Sequence, residues 1–312
     1  MRATLHPDDV GQIFGGAPRL ALEDIVRHPR LPVARKVYLD RFLDVYDGDP
    51  FLVRLLIETG RFSLFILAGA LEAAQDPARR ETWLTIGRLK QAMASFGHGS
   101  GRHVDQLIGR LCAVGFMEQR PAEQDRRIRI LKVTEKMWAH DREWLAAHFA
   151  PLAACYPQHD YGPVLRSDRR LHAALRRASA DPAIMSLGAK LMLSVPDMTL
   201  FLEHAGGFMV IAALLRAALA TGEDTHAAVP YADIGDRFGI SRTHVRRLLN
   251  DAEAAGLVRL HARGGRRVEL LPRLWASFDR AMSGGMYFHD ILYVAATGQR
   301  ASADGGNVLR RA

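Results

Sequence analysis

The residues best suited to do chemistry are arginines spaced along one stretch of chain. Residues 231–249 read Tyr-Ala-Asp-Ile-Gly-Asp-Arg-Phe-Gly-Ile-Ser-Arg-Thr-His-Val-Arg-Arg-Leu-Leu. Ile234, Phe238, Ile240, Val245 and Leu248 have the spacing to pack two helices together. Gly239 suits the positive φ of a tight turn between them. Ser241 is a natural N-cap for the second helix. That helix then turns Arg242, Thr243, Arg246, Arg247 and Asn250 outward. An α-helix fits the major groove of duplex DNA, where Arg pairs bidentately with guanine and Asn with adenine. Because the N-terminal part of such a helix lies nearest the base edges, Arg242, Thr243 and Arg246 rank first.

A second, weaker set lies upstream. Ser100, Arg102, His103, Gln106 and Arg110 occupy corresponding places beside the stripe Val104, Leu107, Ile108 and Leu111. Each set is followed by two strand-like runs with an arginine-bearing tip between them. Arg126 and Arg127 mark the first tip, and Arg263, Arg266 and Arg267 the second. Arginines at such tips suit phosphate contact or insertion into a narrow minor groove. Residues 241–267 set seven arginines against Asp251 and Glu253, whereas residues 100–127 set five arginines against four acids. Phosphate neutralisation supplies most non-specific affinity for DNA, so the second region should grip harder.

Catalytic patterns are absent. There is no phosphate-binding Gly-x-x-x-x-Gly-Lys loop and no His-Glu-x-x-His. His98-Gly-Ser-Gly101 comes near Gly-x-Ser-x-Gly but lacks the strand-to-elbow context and reads as a turn. His140 and His148, with Asp141, could share a helix side and hold a metal, but solvated or core-edge histidines are commoner. Neither an enzyme nor a cofactor or metal is expected. Cys112 and Cys155 cannot build a disulfide framework, which fits a reducing cytoplasm. Trp138, Trp144 and Trp275 read as packing anchors.

These residues sit in a duplicated chain. Residues 50–150 align with 196–288 in feature order, at an offset drifting from 146 to 137. Ser100, His103, Val104, Leu107, Ile108 and Gly115 meet Ser241, His244, Val245, Leu248, Leu249 and Gly256. Met137-Trp138-Ala139 meets Leu274-Trp275-Ala276. Each copy predicts an apolar helix, a shorter helix, a turn, an amphipathic helix closed by glycine, and a β-hairpin. The first copy's turn, Gly97-His-Gly-Ser-Gly101, is the longer and more glycine-rich. The organisation expected is an N-terminal segment (1–36), a first domain (37–150), a linker and connecting helix (151–184), a second domain (185–298) and a tail (299–312). Pro151–Gly162 is the expected linker, and Val164–Ser179 an arginine-rich helix.

Composition agrees with a folded DNA binder. The 312 residues are 48% hydrophobic and 24% charged, with a formal charge of +8. Lysine occurs only at 36, 90, 132, 136 and 190, leaving 37 of 42 basic residues as arginine. A GC-rich genome would produce the same bias. The apolar runs Phe62–Leu71 and Phe208–Leu215 fall well short of the roughly 20 residues that cross a bilayer, so no membrane partner is expected.

The string Phe238 to Leu260, with Gly239-Ile-Ser-Arg-Thr-His-Val245 and Gly256-Leu-Val258, resembles the winged helix-turn-helix of bacterial GntR-type and MarR-type regulators. The first copy, with Gly115-Phe-Met-Glu-Gln-Arg120, Asp125-Arg-Arg127 and Val133-Thr-Glu-Lys136, is most similar to the MarR family, in which an aspartate–arginine wing precedes a dimerising helix. The resemblance covers about 95 residues of each half. It implies a mostly α protein with small β-hairpins (α+β), as two tandem winged helix-turn-helix domains joined by long helices. It also implies a transcription regulator that binds double-stranded DNA, with a small-molecule effector a further possibility. MarR proteins usually carry one module per chain and dimerise, so this chain would act as a monomer with pseudo-two-fold symmetry or as a homodimer. Two alternatives share the fold: a plasmid-type replication initiator binding origin repeats, and a non-catalytic subunit whose winged helices grip a protein partner.

Overall fold

The computed structural model describes residues 18–47, 59–95, 101–123, 125–222, 225–262, 264 and 266–298. They form a mostly helical chain with two small antiparallel sheets. Two helices come first, α1 (Leu22–Val26) and α2 (Leu31–Asp44). The first copy then runs α3 (Thr59–Ala73), α4 (Ile86–Ser95), α5 (Gly101–Ala113), β1 (Met117–Pro121), β2 (Arg129–Val133) and α6 (Glu135–Cys155). Between the copies lie α7 (Gly162–Leu165), α8 (Arg169–Ala178), α9 (Pro182–Leu193) and α10 (Pro196–Glu203). The second copy runs α11 (Gly207–Thr221), β3 (His226–Ala227), α12 (Tyr231–Phe238), α13 (Arg242–Ala254), β4 (Val258–Ala262), β5 (Arg267–Leu270) and α14 (Pro272–Thr297).

The two halves correspond down to individual backbone hydrogen bonds. α5 ends with the Phe116 amide donating to Leu111 O and the Gly115 amide to Cys112 O. α13 ends with Leu257 donating to Ala252 O and Gly256 to Glu253 O. Both are Schellman closures, and both need a left-handed residue, supplied by Gly115 (φ 76°) and Gly256 (φ 70°). The hairpins share their register: Met117 faces Val133 as Val258 faces Leu270. A third segment joins each hairpin beside the returning strand. In the second copy it is β3, giving the sheet order β3-β5-β4. In the first it is a single bridge, Thr85 to Ile130. Such short additions carry no alternation of their own to read in the sequence.

α6 and α14, which follow the two hairpins, pack against each other. α2 lies across α6, α11 and α14, and α8 lies against α3 and α14. One hydrophobic core therefore runs through both halves. The segment read as a linker contributes differently from expectation. α6 continues through Pro151 to Cys155, with Pro151 buried inside the helix. The expected helix 164–179 is broken at Ser167, whose φ of 60° ends α7, and Asp168 then caps α8 through the Leu171 amide. No single helix among the described residues is long and apolar enough to cross a membrane. Cys112 is half-buried and Cys155 buried, and both thiols are free.

Candidate nucleic-acid interface

α12 and α13 are set by a turn in which two glycines do different jobs. Gly239 adopts φ 65° and closes α12. Gly235 allows α12 to approach the turn, since a Cβ there would lie 2.7 Å from Ile240 O. Backbone cannot yield as a flexible side chain can, so Gly235→Ala is expected to destabilise the protein by about 1–3 kcal/mol. A lowered thermal midpoint, with the fold retained by circular dichroism, is the readout.

Ser241 caps α13, its hydroxyl accepting from the His244 amide at 3.1 Å. His244 Nε2–H donates to Ala205 O at 2.9 Å, and His204 Nε2 lies 3.3 Å from Asp251. These contacts hold α13 against the turn that precedes α11. Val245, Leu248, Leu249 and Ala252 are buried, as the apolar stripe requires. Ser241, Arg242, Thr243, Arg246, Arg247 and Asn250 are all exposed, and Arg242, Arg246 and Arg247 enter no salt bridge among the described residues. Three cationic heads are therefore presented to solvent with no counter-ion among the described residues. Burial chiefly raises the pKa of the Tyr231 hydroxyl, Glu253 adds to the rise, and the Arg246 charge opposes it.

The α5 surface is built the same way but is less basic. Val104, Leu107, Ile108 and Leu111 are buried, while Arg102, Gln106 and Arg110 are exposed. His103 is half-buried and already engaged. Asp105, on the same helix, pairs with Lys90 of α4 at 2.7 Å. Ser100 and the turn around it lie outside the described residues.

At the hairpin tips, Arg126 and Arg127 are exposed and enter no salt bridge among the described residues. Asp125 shapes that tip by accepting from the Arg127 amide at 3.0 Å and from Arg80 at 3.2 Å. Arg266 and Arg267 are likewise exposed and enter no salt bridge among the described residues. Arg263 lies outside the described residues. Two other arginines are committed to structure: Arg237 forms a two-pronged pair with Asp47, and Arg273 with Asp197.

The residues considered for metal binding in α6 are separated by their partners. Asp141 accepts from Arg176 at 2.6 and 2.7 Å and from His172 at 2.7 Å. Burial pushes its pKa up, but the Arg176 charge and the two sets of hydrogen bonds outweigh that and hold it at about 2. His148 accepts from the Tyr38 hydroxyl at 3.3 Å and donates to Trp144 O at 2.9 Å. His140 meets the rings of Tyr46, Phe65 and Phe116. The tryptophans pack: Trp144 lies 3.7 Å from His148 between ring centres, Trp138 meets His172, and Arg35 covers Trp275 at 4.8 Å.

The sequence reading missed two arrangements. One is the contact between His148 of α6 and His289 of α14, 5.1 Å apart where those helices meet. The other is a trio on the second sheet, His226, His261 and Glu269. Neither has a linear signature, because each is assembled from elements far apart in the chain. No family model, no curated protein and no solved structure matches this chain.

Proposed function

We propose that this protein is a transcription regulator that binds double-stranded DNA through two winged helix-turn-helix modules in one chain. The observation that carries the reading is the second copy's order, helix, strand, helix, helix, strand, strand, with sheet order β3-β5-β4 and with Arg242, Arg246 and Arg247 exposed on the outer side of α13 and in no salt bridge among the described residues. In such a module the last helix before the hairpin enters the major groove and the hairpin reaches the backbone or minor groove. α13 reads bases through Arg242, Thr243, Arg246 and Asn250, while Arg266 and Arg267 engage the backbone. The first copy adds a weaker contact through Arg102, Gln106, Arg110, Arg126 and Arg127. Contact between the equivalent helices α6 and α14 supports a pseudo-dimer within the chain, for an isologous interface joins like to like.

The test is a binding titration of genomic fragments at several salt concentrations. Arg242→Ala should weaken the best fragment by about 1–3 kcal/mol and relax its base preference. Arg266→Ala should weaken all fragments similarly and lower the salt slope by about one. If neither variant changes binding, the assignment fails. Preference for iterated origin repeats over promoters would favour a replication initiator instead.

A further inference from the structure

The second sheet has two sides of opposite character. Strand alternation turns Ala227, Leu260 and Val268 toward the core. It turns His226, Arg259, His261 and Glu269 the other way, where they are half-buried or exposed. His226 on β3 sits directly opposite Glu269 on β5. His261 falls where the β4–β5 register shifts between Leu260 and Ala262. An irregularity of that kind re-aims a side chain, and here it brings His261 Nε2 to 2.6 Å from Glu269 Oε2. The His226 ring centre lies 5.9 Å from that of His261. One ligand atom from each of the three residues falls within 4.8 Å of the others. No other His, Cys, Asp or Glu trio among the described residues meets that spacing.

We propose that His226, His261 and Glu269 form a site for a divalent transition-metal ion of the zinc, cobalt or nickel type. Two imidazoles with one carboxylate suit these ions, whereas calcium and magnesium prefer all-oxygen sets. Metal–ligand lengths of about 2.0–2.2 Å put tetrahedral ligands roughly 3.4 Å apart, so on loading the His261 and Glu269 ligand atoms, now 2.6 Å apart, open by about 1 Å while His226 turns to meet the ion. Side-chain rotation supplies that movement, because the three groups stand on neighbouring strands at the protein surface and not in a packed interior. Glu269 Oε2 also accepts from Arg259 at 3.1 Å, a contact the incoming ion displaces. Three protein ligands leave a fourth position for water, as in open zinc sites. The ion would tie β3, β4 and β5 together on the side away from the core, and would stiffen the sheet that carries Arg266 and Arg267.

The site is independent of the DNA-binding reading and is tested without DNA. Zinc chloride is titrated calorimetrically into the full chain, and cobalt chloride is followed by its visible absorption. The expected result is one ion per chain, with the intense bands of tetrahedral cobalt. His226→Ala and His261→Ala should each weaken binding by more than the roughly 10–100-fold that loss of an outer partner costs. Their metal-free urea midpoints should stay close to the parent's, which separates loss of a ligand from loss of the fold. Absence of binding heat and of cobalt bands would overturn the proposal and leave His261–Glu269 a simple ion pair. Binding that persists undiminished in both variants would overturn it as well, assigning the ion to other histidines.

Discussion

Asp141→Ala is expected to destabilise the protein by about 3–5 kcal/mol, the largest effect of any single change considered. Asp141 and Arg176 are both almost wholly buried, and the two-pronged contact between them joins α6 to α8. Removing the carboxylate leaves a guanidinium in the interior with no counter-ion and with the Trp144 ring among its remaining neighbours, at 5.7 Å. His172 loses its acceptor too. Arginine cannot escape by releasing its proton, so the full desolvation penalty falls on the folded state. Urea unfolding gives the readout as a lowered midpoint. A paired replacement, Asp141→Leu with Arg176→Met, should recover much of the loss, because a buried pair contributes little beyond what matched apolar groups supply. If Asp141→Ala alone shifts the midpoint by less than 1 kcal/mol, water reaches Arg176 and the buried pair is not what fastens α8.

Stability is also expected to fall steeply as the pH drops from about 6.5 toward 4. His289 is buried, and desolvation lowers its pKa to about 4. His148 is lowered well below the ordinary value, first by burial and then by the charge of His289. Between these values and the unfolded value near 6.5, the unfolded chain binds protons that the folded chain refuses. The unfolded state therefore holds more protons, and stability rises with pH across that window. Sign and window follow: the contribution is complete above about pH 6.5 and is lost on acidification. For His289 the difference is worth about 3 kcal/mol once both states are protonated. His148 adds to the slope over the same range. Asp141, held at about 2, also favours the folded state at higher pH, but its contribution fades only below about pH 4. Urea midpoints at half-unit pH steps check this, and His289→Gln should flatten the curve by nearly one proton. A profile flat from pH 7 to 4.5 would mean that the two imidazoles reach solvent.

The repeated helices and their buried sides were legible because a period of 3.6 leaves its mark on any helix with one wet side. Val104, Leu107, Ile108 and Leu111, with their counterparts in α13, are buried as that period demands. The caps at Gly115, Gly239, Ser241 and Gly256 were legible for the same reason: each residue type answers a local backbone need. Less legible were features that depend on distant partners. Pro151 reads as a helix end, yet tertiary packing carries α6 past it for another turn. β3 is two residues long and exists only because β5 offers it an edge. His140, Asp141 and His148 looked like companions along one helix. Asp141 instead faces α8, His148 meets Tyr38 of α2 and His289 of α14, and His140 joins an aromatic cluster. Spacing along the chain gave their order on the helix, and the neighbours on each side decided their use.

The packing of α6 on α14 inside a common core has a consequence for how the two copies can differ. Dilution cannot separate them, and neither must repeat the other's surface. An assembly of identical chains shows the same side chains twice, whereas here residues 241–267, with seven arginines against two acids, are permanently yoked to residues 100–127, with five arginines against four acids. Under the DNA-binding proposal, a duplex lying across both would be held unequally at its two ends, which would give the complex a polarity that no symmetric pair of identical subunits possesses.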